Sequence, residues 1–243
     1  MDGRAAERTG ADFDATDHSP LELCGERLCP DTSGALFWPR LSVLVISDLH
    51  FEKGVALAAR GTHLPPYDTP DTLSAVEHAV ARYSPQTVIA LGDSFHRADS
   101  HQSLTEEASS RIRRLTGGRD WIWISGNHDP VAPSGLGGRA VDELLLAPFI
   151  FRHEPRPGLC RGEIAGHLHP AAKVSVRGRT MRRRCFATDG SRLVMPAMGA
   201  YAGGLNVLDT AFSFVFPGRE FRAWMIGAGD VHPVAARKLK ADR

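Results

Sequence analysis

The chain has 243 residues, enough for an ordinary domain to bury a full core without staples. Its 29 Lys and Arg against 28 Asp and Glu leave a formal charge of +1, which excludes a binder that relies on bulk positive charge. With 42% hydrophobic and 23% charged residues it reads as globular, and four Cys without a CxxC pair exclude a disulfide framework or a Cys-built zinc site.

Residues 1–19 read as an acidic, disordered tail with no apolar signal-peptide core. Residues 20–235 are expected to form the domain, with 236–243 as a frayed basic end. No apolar run is long enough to span a bilayer, so no membrane contact and a cytoplasmic location are the default expectations. LELC, ERLC and GALFW are strand-sized pieces divided by turn signals, which makes residues 21–38 a small meander, and Cys24 and Cys29 across its turn are expected as free thiols. LSVLVISD (41–48) is a continuous β-branched run, the mark of a buried strand. From Asp71 to Tyr83, Leu73, Val76, Ala79 and Val80 share one helical face, with Thr69 or Asp71 placed to cap it. TVIALGD (87–93) is a second buried strand, 104–115 a second helix and DWIWISG (120–126) a third strand. FIFRHE, EIAGH, KVSVRG, CFATDG, RLVMPA and RAWMIG then all have strand composition. A first half that alternates β and α and a second half of β together suit two packed sheets flanked by helices.

Histidine is over-supplied, with 11 copies, and it serves metals and proton transfer more than packing. The strands of the first half run out into SDLH, LGDSFH and SGNHD, and the later segments carry RHEP and GHLHP. The C-terminal edge of such strands is where ligands bind. Asp48, His50, Asp93, Asn127, His128, His153, His167 and His169 fall there, all oxygen or nitrogen donors, a set that suits Mn, Fe or Zn. Asp48 and His50, like His167 and His169, stand two apart, so that in a strand both would point one way. Gly92, Gly126 and Gly166 each precede a candidate ligand, where a sharp turn is expected. His18, His63, His78, His101 and His232 lie outside the motifs and read as surface or packing histidines.

The ordered series D-x-H, G-D, G-N-H-D, H and G-H-x-H resembles the calcineurin-like metallophosphoesterase superfamily. The resemblance implies a four-layer α/β/β/α sandwich and a dinuclear metal site that hydrolyses phosphodiesters by attack of a metal-bridging hydroxide. Carried over by position, Asp48, His50 and His169 resemble the ligands of the first metal and Asp93 the bridging carboxylate. Asn127, His153 and His167 resemble the ligands of the second metal. His128, with Asp129 to orient its ring or hold it charged, resembles the leaving-group or phosphate-contacting pair. LHFEKG, LPPYDT, GDSFH, RHEP, GHLHP and MGAYAGGLNV further resemble small bacterial phosphoesterases associated with DNA ligase and DNA-damage operons. In some related nucleases a His close to the substrate phosphate falls where His96 stands.

The resemblance implies two divalent ions, manganese first, with Fe, Zn, Ni or Mg as alternatives. It implies DNA as substrate, in a repair role, with a DNA ligase or other repair protein as partner. The long capping domain of larger nucleases has no room in the 74 residues after His169. A phosphodiesterase or phosphatase of small molecules and a non-catalytic metal-binding repair scaffold are the rival readings. Between Lys173 and Arg192 seven basic residues stand against Asp189 alone, a net +6. Arg182, Arg183 and Arg184 in that stretch, with Lys53 and Arg60, are the candidate contacts to a nucleic-acid backbone.

Overall fold

A computed structural model describes residues 20–58, 61, 67–96, 103–130 and 133–242. The acidic N-terminal stretch, Arg60, His63 and His101 lie outside them. The first sheet begins with the expected meander: β1 (Leu21–Leu23), β2 (Glu26–Pro30) and β3 (Leu36–Trp38) run antiparallel into β4 (Val43–Ile46). Beyond it β5 (Thr87–Ala90), β6 (Asp120–Ile124) and β7 (Arg139–Val141) add in parallel, giving seven strands in chain order. Helices α1 (Lys53–Ala58) and α2 (Asp68–Tyr83) lie between β4 and β5 in the chain, and α3 (Glu106–Thr116) lies between β5 and β6.

The continuous apolar runs follow from burial on both faces. Leu44, Ile46, Val88, Ala90, Trp121 and Trp123 pack against Leu73, Val76 and Val80 of α2 and Ile112 and Leu115 of α3. The alternate residues Val43, Val45, Ile89, Ile122 and Ile124 meet Phe149, Phe151, Ile164 and Phe186 of the second sheet. Each such side chain contributes about 1.5–3 kcal/mol when fully buried.

The second sheet comprises β8 (Glu143–Leu146), β9 (Phe149–Arg152), β10 (Glu163–Ala165), β11 (Pro170–Val176), β12 (Arg179–Thr188), β13 (Leu193–Val194) and β14 (Leu205–Asn206). Their order is β14-β11-β12-β13-β10-β9-β8, and β15 (Arg222–Ile226) pairs with β12 and with β16 (Val231–Ala235). On its outer face Val207, Phe212, Val215, Phe216 and Phe221 cover Ala172, Val174 and Ala187. This fourth layer is built of 3₁₀ turns, Thr210–Phe212 and Pro217–Arg219, and among the described residues no α-helix follows Thr116. Asp209 starts the first turn by accepting the Ala211 N–H at 2.9 Å, and the Pro217-Gly218 pair prevents helix continuation.

Local expectations are corrected at helix α2 and at the C-terminal end. Helix α2 begins at Asp68, and neither Thr69 nor Asp71 caps it. The Asp68 carboxylate accepts the Gly54 N–H at 2.7 Å and the Thr69 hydroxyl donates to Glu52 at 2.9 Å, so both tie the helix to the loop after β4. Helix α3 is capped as a Thr-led helix should be, Thr105 accepting the Ala108 N–H at 3.2 Å. The described C-terminal residues, up to 242, are packed rather than frayed: Leu239 is buried among the outer apolar residues, and the Lys240 N–H donates to the Lys173 carbonyl at 2.8 Å. All four cysteines are free thiols, and among the described residues no helix is long and apolar enough to cross a membrane.

Candidate metal centre

Both sheets deliver polar residues to one edge. Asp48 and His50 follow β4, Asp93 and His96 follow β5, and Asn127, His128 and Asp129 follow β6. From the second sheet, His153 follows β9, and His167 and His169 occupy the link from β10 to β11. The i, i+2 pairs are not on strands. Asp48, His50, Asp93, His167 and His169 have φ of 52°, 47°, 46°, 67° and 45°, so five candidate ligands sit in the left-handed region. Such non-glycine conformations cost about 1–3 kcal/mol each and persist where surroundings over-determine them. Here the His50 N–H donates to the Asp93 carbonyl and the Phe51 N–H to the Ser94 carbonyl, both at 2.9 Å. Within the second sheet the Gly166 N–H donates to the His153 carbonyl at 2.9 Å, and across the sheets the His167 N–H donates to the Asp48 carboxylate at 3.1 Å.

Of the three glycines, Gly92 alone turns with positive φ, 77°, and a Cβ there would strike the His153 ring. Gly126 and Gly166 are needed for space instead. A Cβ on Gly126 would collide with the Asp93 amide, and one on Gly166 with the Ser47 hydroxyl and the Asp48 carboxylate.

The donor atoms form two neighbouring groups, Asp48 with His50 and His169, and Asp93 with His153 and His167. In the first, His169 Nε2 lies 3.0 Å from Asp48 Oδ1 and 3.3 Å from His50 Nε2. In the second, Asn127 Oδ1 lies 2.9 Å from His153 Nε2 and 3.1 Å from His167 Nδ1. His153 Nε2 lies 3.2 Å from His167 Nδ1 and 3.4 Å from Asp93 Oδ1. The His153 Nδ1–H donates to the Leu91 carbonyl at 2.8 Å and the His169 Nδ1–H to Gly203 at 3.2 Å, which leaves each Nε2 lone pair facing inward. Ligand bonds of about 2.0–2.2 Å put adjacent donors about 3 Å apart, so the spacing fits a divalent cation in each group. Acceptors converging this closely need positive charge between them, and His50 Nδ1 is buried with no hydrogen-bond partner.

Electrostatics agree with that fit. Burial lowers His50 to about 3 against the pull of Asp48 and Asp93, so its imidazole is neutral and ready to ligate. Burial also lowers His167, with His153 adding to it. Asp93 is held at about 2, because His153, the His128 amide and His50 outweigh the burial that would raise it. Asp48 is lowered likewise, burial being overcome by His169, His153 and the Ser47 hydroxyl. His153 is raised to about 9: burial opposes its charge, but Asp93, Asp48 and the Leu91 carbonyl prevail. A proton on His153 therefore takes up the ligand lone pair in the cation-free protein.

His128 stands at the rim, its ring exposed, with its Nδ1–H donating to the His96 carbonyl at 3.0 Å and Nε2 3.9 Å from Asp93 Oδ2. The His96 ring stacks on it, centroids 5.3 Å apart, so the structure brings this loop histidine to the centre. Lys53 opens α1 behind His50, where burial lowers its ammonium while Asp48 and Asp93 oppose.

Asp129 is a correction. Its carboxylate is engaged by four backbone N–H groups, Ser94 at 2.8 Å, Asp93 at 2.9 Å, and Phe95 and Gly126 at 3.1 Å. It clamps the Asp93 loop to the Asn127 loop rather than orienting the His128 ring. Burial, with Asp93 adding, pushes its carboxyl up to about 7 against those amides.

The arginine run lies on β12, paired with β11. Arg182 and Arg184 stand opposite Lys173 and Ala171 on β11, whereas Arg183 stands opposite Ala172. Arg184 is half-buried and donates to the Ala197 carbonyl at 2.6 Å. Arg192 is not in the patch at all. It is buried on Glu163, which also takes Arg152 at 3.0 Å and the Arg156 N–H at 3.0 Å. That ion cluster fixes the loop after His153, and single residues scattered over two strands and two loops gave no motif to find it by.

A family model described as calcineurin-like phosphoesterase matches residues 41–182. Among solved structures, the nuclease MPE of Pseudomonas putida is similar with a TM-score of 0.68 and 28% identity, covering 89% of this chain and 100% of that one. The E. coli phosphoesterase YfcE matches with a TM-score of 0.39 and 14% identity, covering 80% of this chain and 98% of its own. No curated protein sequence matches this chain.

Proposed function

The chain belongs to the calcineurin-like phosphoesterase family and is a metal-dependent hydrolase, and from that premise we propose that it is a nuclease cleaving DNA phosphodiesters with two divalent cations. The observation that carries the reading is the pair of adjacent donor groups with an exposed histidine at their rim. Similarity to a nuclease along that protein's whole length favours nucleic acid as the substrate. The exposed Asn127 and His128 leave the edge open, which suits a polymer running past.

Asp48, His50 and His169 would hold one cation, and Asn127, His153 and His167 the other, with Asp93 between them. Cations bound there supply charge for the phosphoryl oxygens and the acidity that makes water a nucleophile near neutral pH. His128 has one ring nitrogen committed to the His96 carbonyl, so Nε2 is the atom that can give a proton to the leaving oxygen. Such a transfer contributes roughly 10²–10⁴ in rate. His96, stacked on that ring, holds its plane. Oxygen and nitrogen donors without thiolate favour manganese, with Fe, Zn, Ni and Mg as the alternatives. A role in DNA repair in the cytoplasm, beside a DNA ligase or other repair protein, belongs to the same proposal.

The test strips the metal, adds back Mn²⁺, Mg²⁺, Zn²⁺ or Ni²⁺, and offers single-stranded DNA, duplex DNA and an aryl phosphodiester. DNA cleavage restored by manganese is the expected result, with Asp93→Asn nearly inactive. Aryl ester turnover with intact DNA would leave a small-molecule phosphodiesterase, and two bound metals without any turnover would leave a scaffold.

A further inference from the structure

The β11–β12 hairpin starts at the metal centre. Pro170 follows His169 directly, and Lys173 pairs across the hairpin with Arg182. One glycine segment joins the two places: Gly203 accepts from the His169 ring, and Gly204 accepts from the Arg182 guanidinium at 2.5 Å. Arg182, Arg183 and Arg184 line one groove with Gly203 and Gly204, about 540 Å³ in volume. A carboxylate already lies against this basic face. Asp242 accepts from Arg182 Nε through Oδ2 at 3.1 Å and faces Lys173 Nζ with Oδ1 at 3.6 Å. It is brought there by residues 239–242, which run beside β11. Leu239 is buried, the Lys240 N–H is bonded to Lys173, and the Asn206 side chain donates to the Lys240 carbonyl at 2.9 Å.

We propose that Lys173 and Arg182 form a backbone-phosphate subsite for a single nucleic-acid strand passing the metal centre, and that the Asp242 carboxylate fills this subsite until the strand displaces it. The inference rests on the nuclease reading above. Two oxygens of one anion meeting an ammonium and a guanidinium is the pattern by which those groups also take phosphate. Arg182 and Asp242 are 41% and 43% exposed, so their pair contributes little in water and is readily exchanged. A phosphate entering the subsite also releases condensed counterions, which an internal carboxylate cannot do. The +6 of the sequence stretch overstates the free charge: Arg192 is buried on Glu163, Arg184 is half-buried, and Asp242 answers Lys173 and Arg182.

The full chain decides the matter in two measurements. Affinity for a labelled single-stranded oligonucleotide is titrated against salt with the metals chelated, and kcat/KM for the aryl phosphodiester is measured with them restored. Asp242→Asn is expected to bind the oligonucleotide about 3- to 10-fold more tightly. Arg182→Ala and Lys173→Ala should each weaken it and reduce the slope of log K against log salt by about 0.7. The aryl ester has no second phosphate to reach the subsite, so its turnover in each variant reports whether the metal centre is intact. Unchanged affinity and slope in the variants, with a wild type that binds, would overturn the subsite alone. A wild type that turns over the aryl ester but binds no oligonucleotide would overturn the nuclease reading and the subsite with it.

Discussion

Asp129→Ala separates two roles for a residue that the sequence assigns to catalysis. The substitution removes one carboxylate and leaves four amide donors, those of Asp93, Ser94, Phe95 and Gly126, facing the space it occupied. If water satisfies half of them, two stay unpartnered at about 1–3 kcal/mol each, a loss of about 4 kcal/mol. That is a large share of the roughly 5–15 kcal/mol that holds a domain folded. Asp129→Asn keeps one acceptor oxygen and turns its NH₂ toward the other pair, so about half that loss is expected. Urea unfolding of the cation-free protein at pH 8, above the Asp129 value of about 7, measures both with the carboxylate ionised. A loss under about 1 kcal/mol, together with a displaced pH–rate profile, would return Asp129 to the His128 ring and refute the clamp.

Three further outcomes are expected. Gly166→Ala places a Cβ 2.5 Å from Asp48 Oδ2, so the bound metal should fall by about half and stability by about 1–3 kcal/mol; full metal content on elemental analysis would count against it. Glu163→Gln leaves buried Arg192 without a carboxylate while Arg152 keeps Glu143 at 3.1 Å, and a loss of about 3–5 kcal/mol is expected in urea; wild-type stability would show that the ion cluster does not hold its loop. Because His153 titrates at about 9 and must be neutral to ligate, loading at pH 7 should release a proton and apparent metal affinity should rise up to about pH 9. Calorimetry in buffers of different ionisation heat reads that proton, and an affinity flat from pH 6 to 9 would contradict it.

The centre was legible because its ligands come in short motifs at strand ends. SDLH, LGDSFH, SGNHD, RHEP and GHLHP place Asp48 through His169 at one edge once the buried strands are recognised. How they converge was not legible. A left-handed Asp or His has no signature in composition; the i, i+2 argument joined Asp48 and His50 by a strand geometry they do not have, and it did not foresee that His167 and His169 part into different groups. Asp129 was misassigned because a carboxylate beside a histidine in sequence need not face it in space. Helix α2 starts early because Asp68 and Thr69 answer to Gly54 and Glu52, partners 14 and 17 residues away. Short strands such as β7 and β14, with exposed or single buried residues, lack the apolar period that revealed β4 to β6. Asp242 reaches Lys173 and Arg182 from far along the chain, a pairing no local pattern encodes.

Each donor group draws on both layers of the sandwich. Asp48 and His50 hang from the first sheet and His169 from the second; Asp93 hangs from the first, with His153 and His167 from the second. A cation in either group is thus a rivet through two plates. Prising the sheets apart at that edge would require breaking its bonds, so loading lowers the frequency with which the edge breathes. Slower amide exchange on loading should therefore concentrate in β4, β5, β9 and β10, which the rivets join, and leave α2 and α3, on the far side of the first plate, nearly as they were.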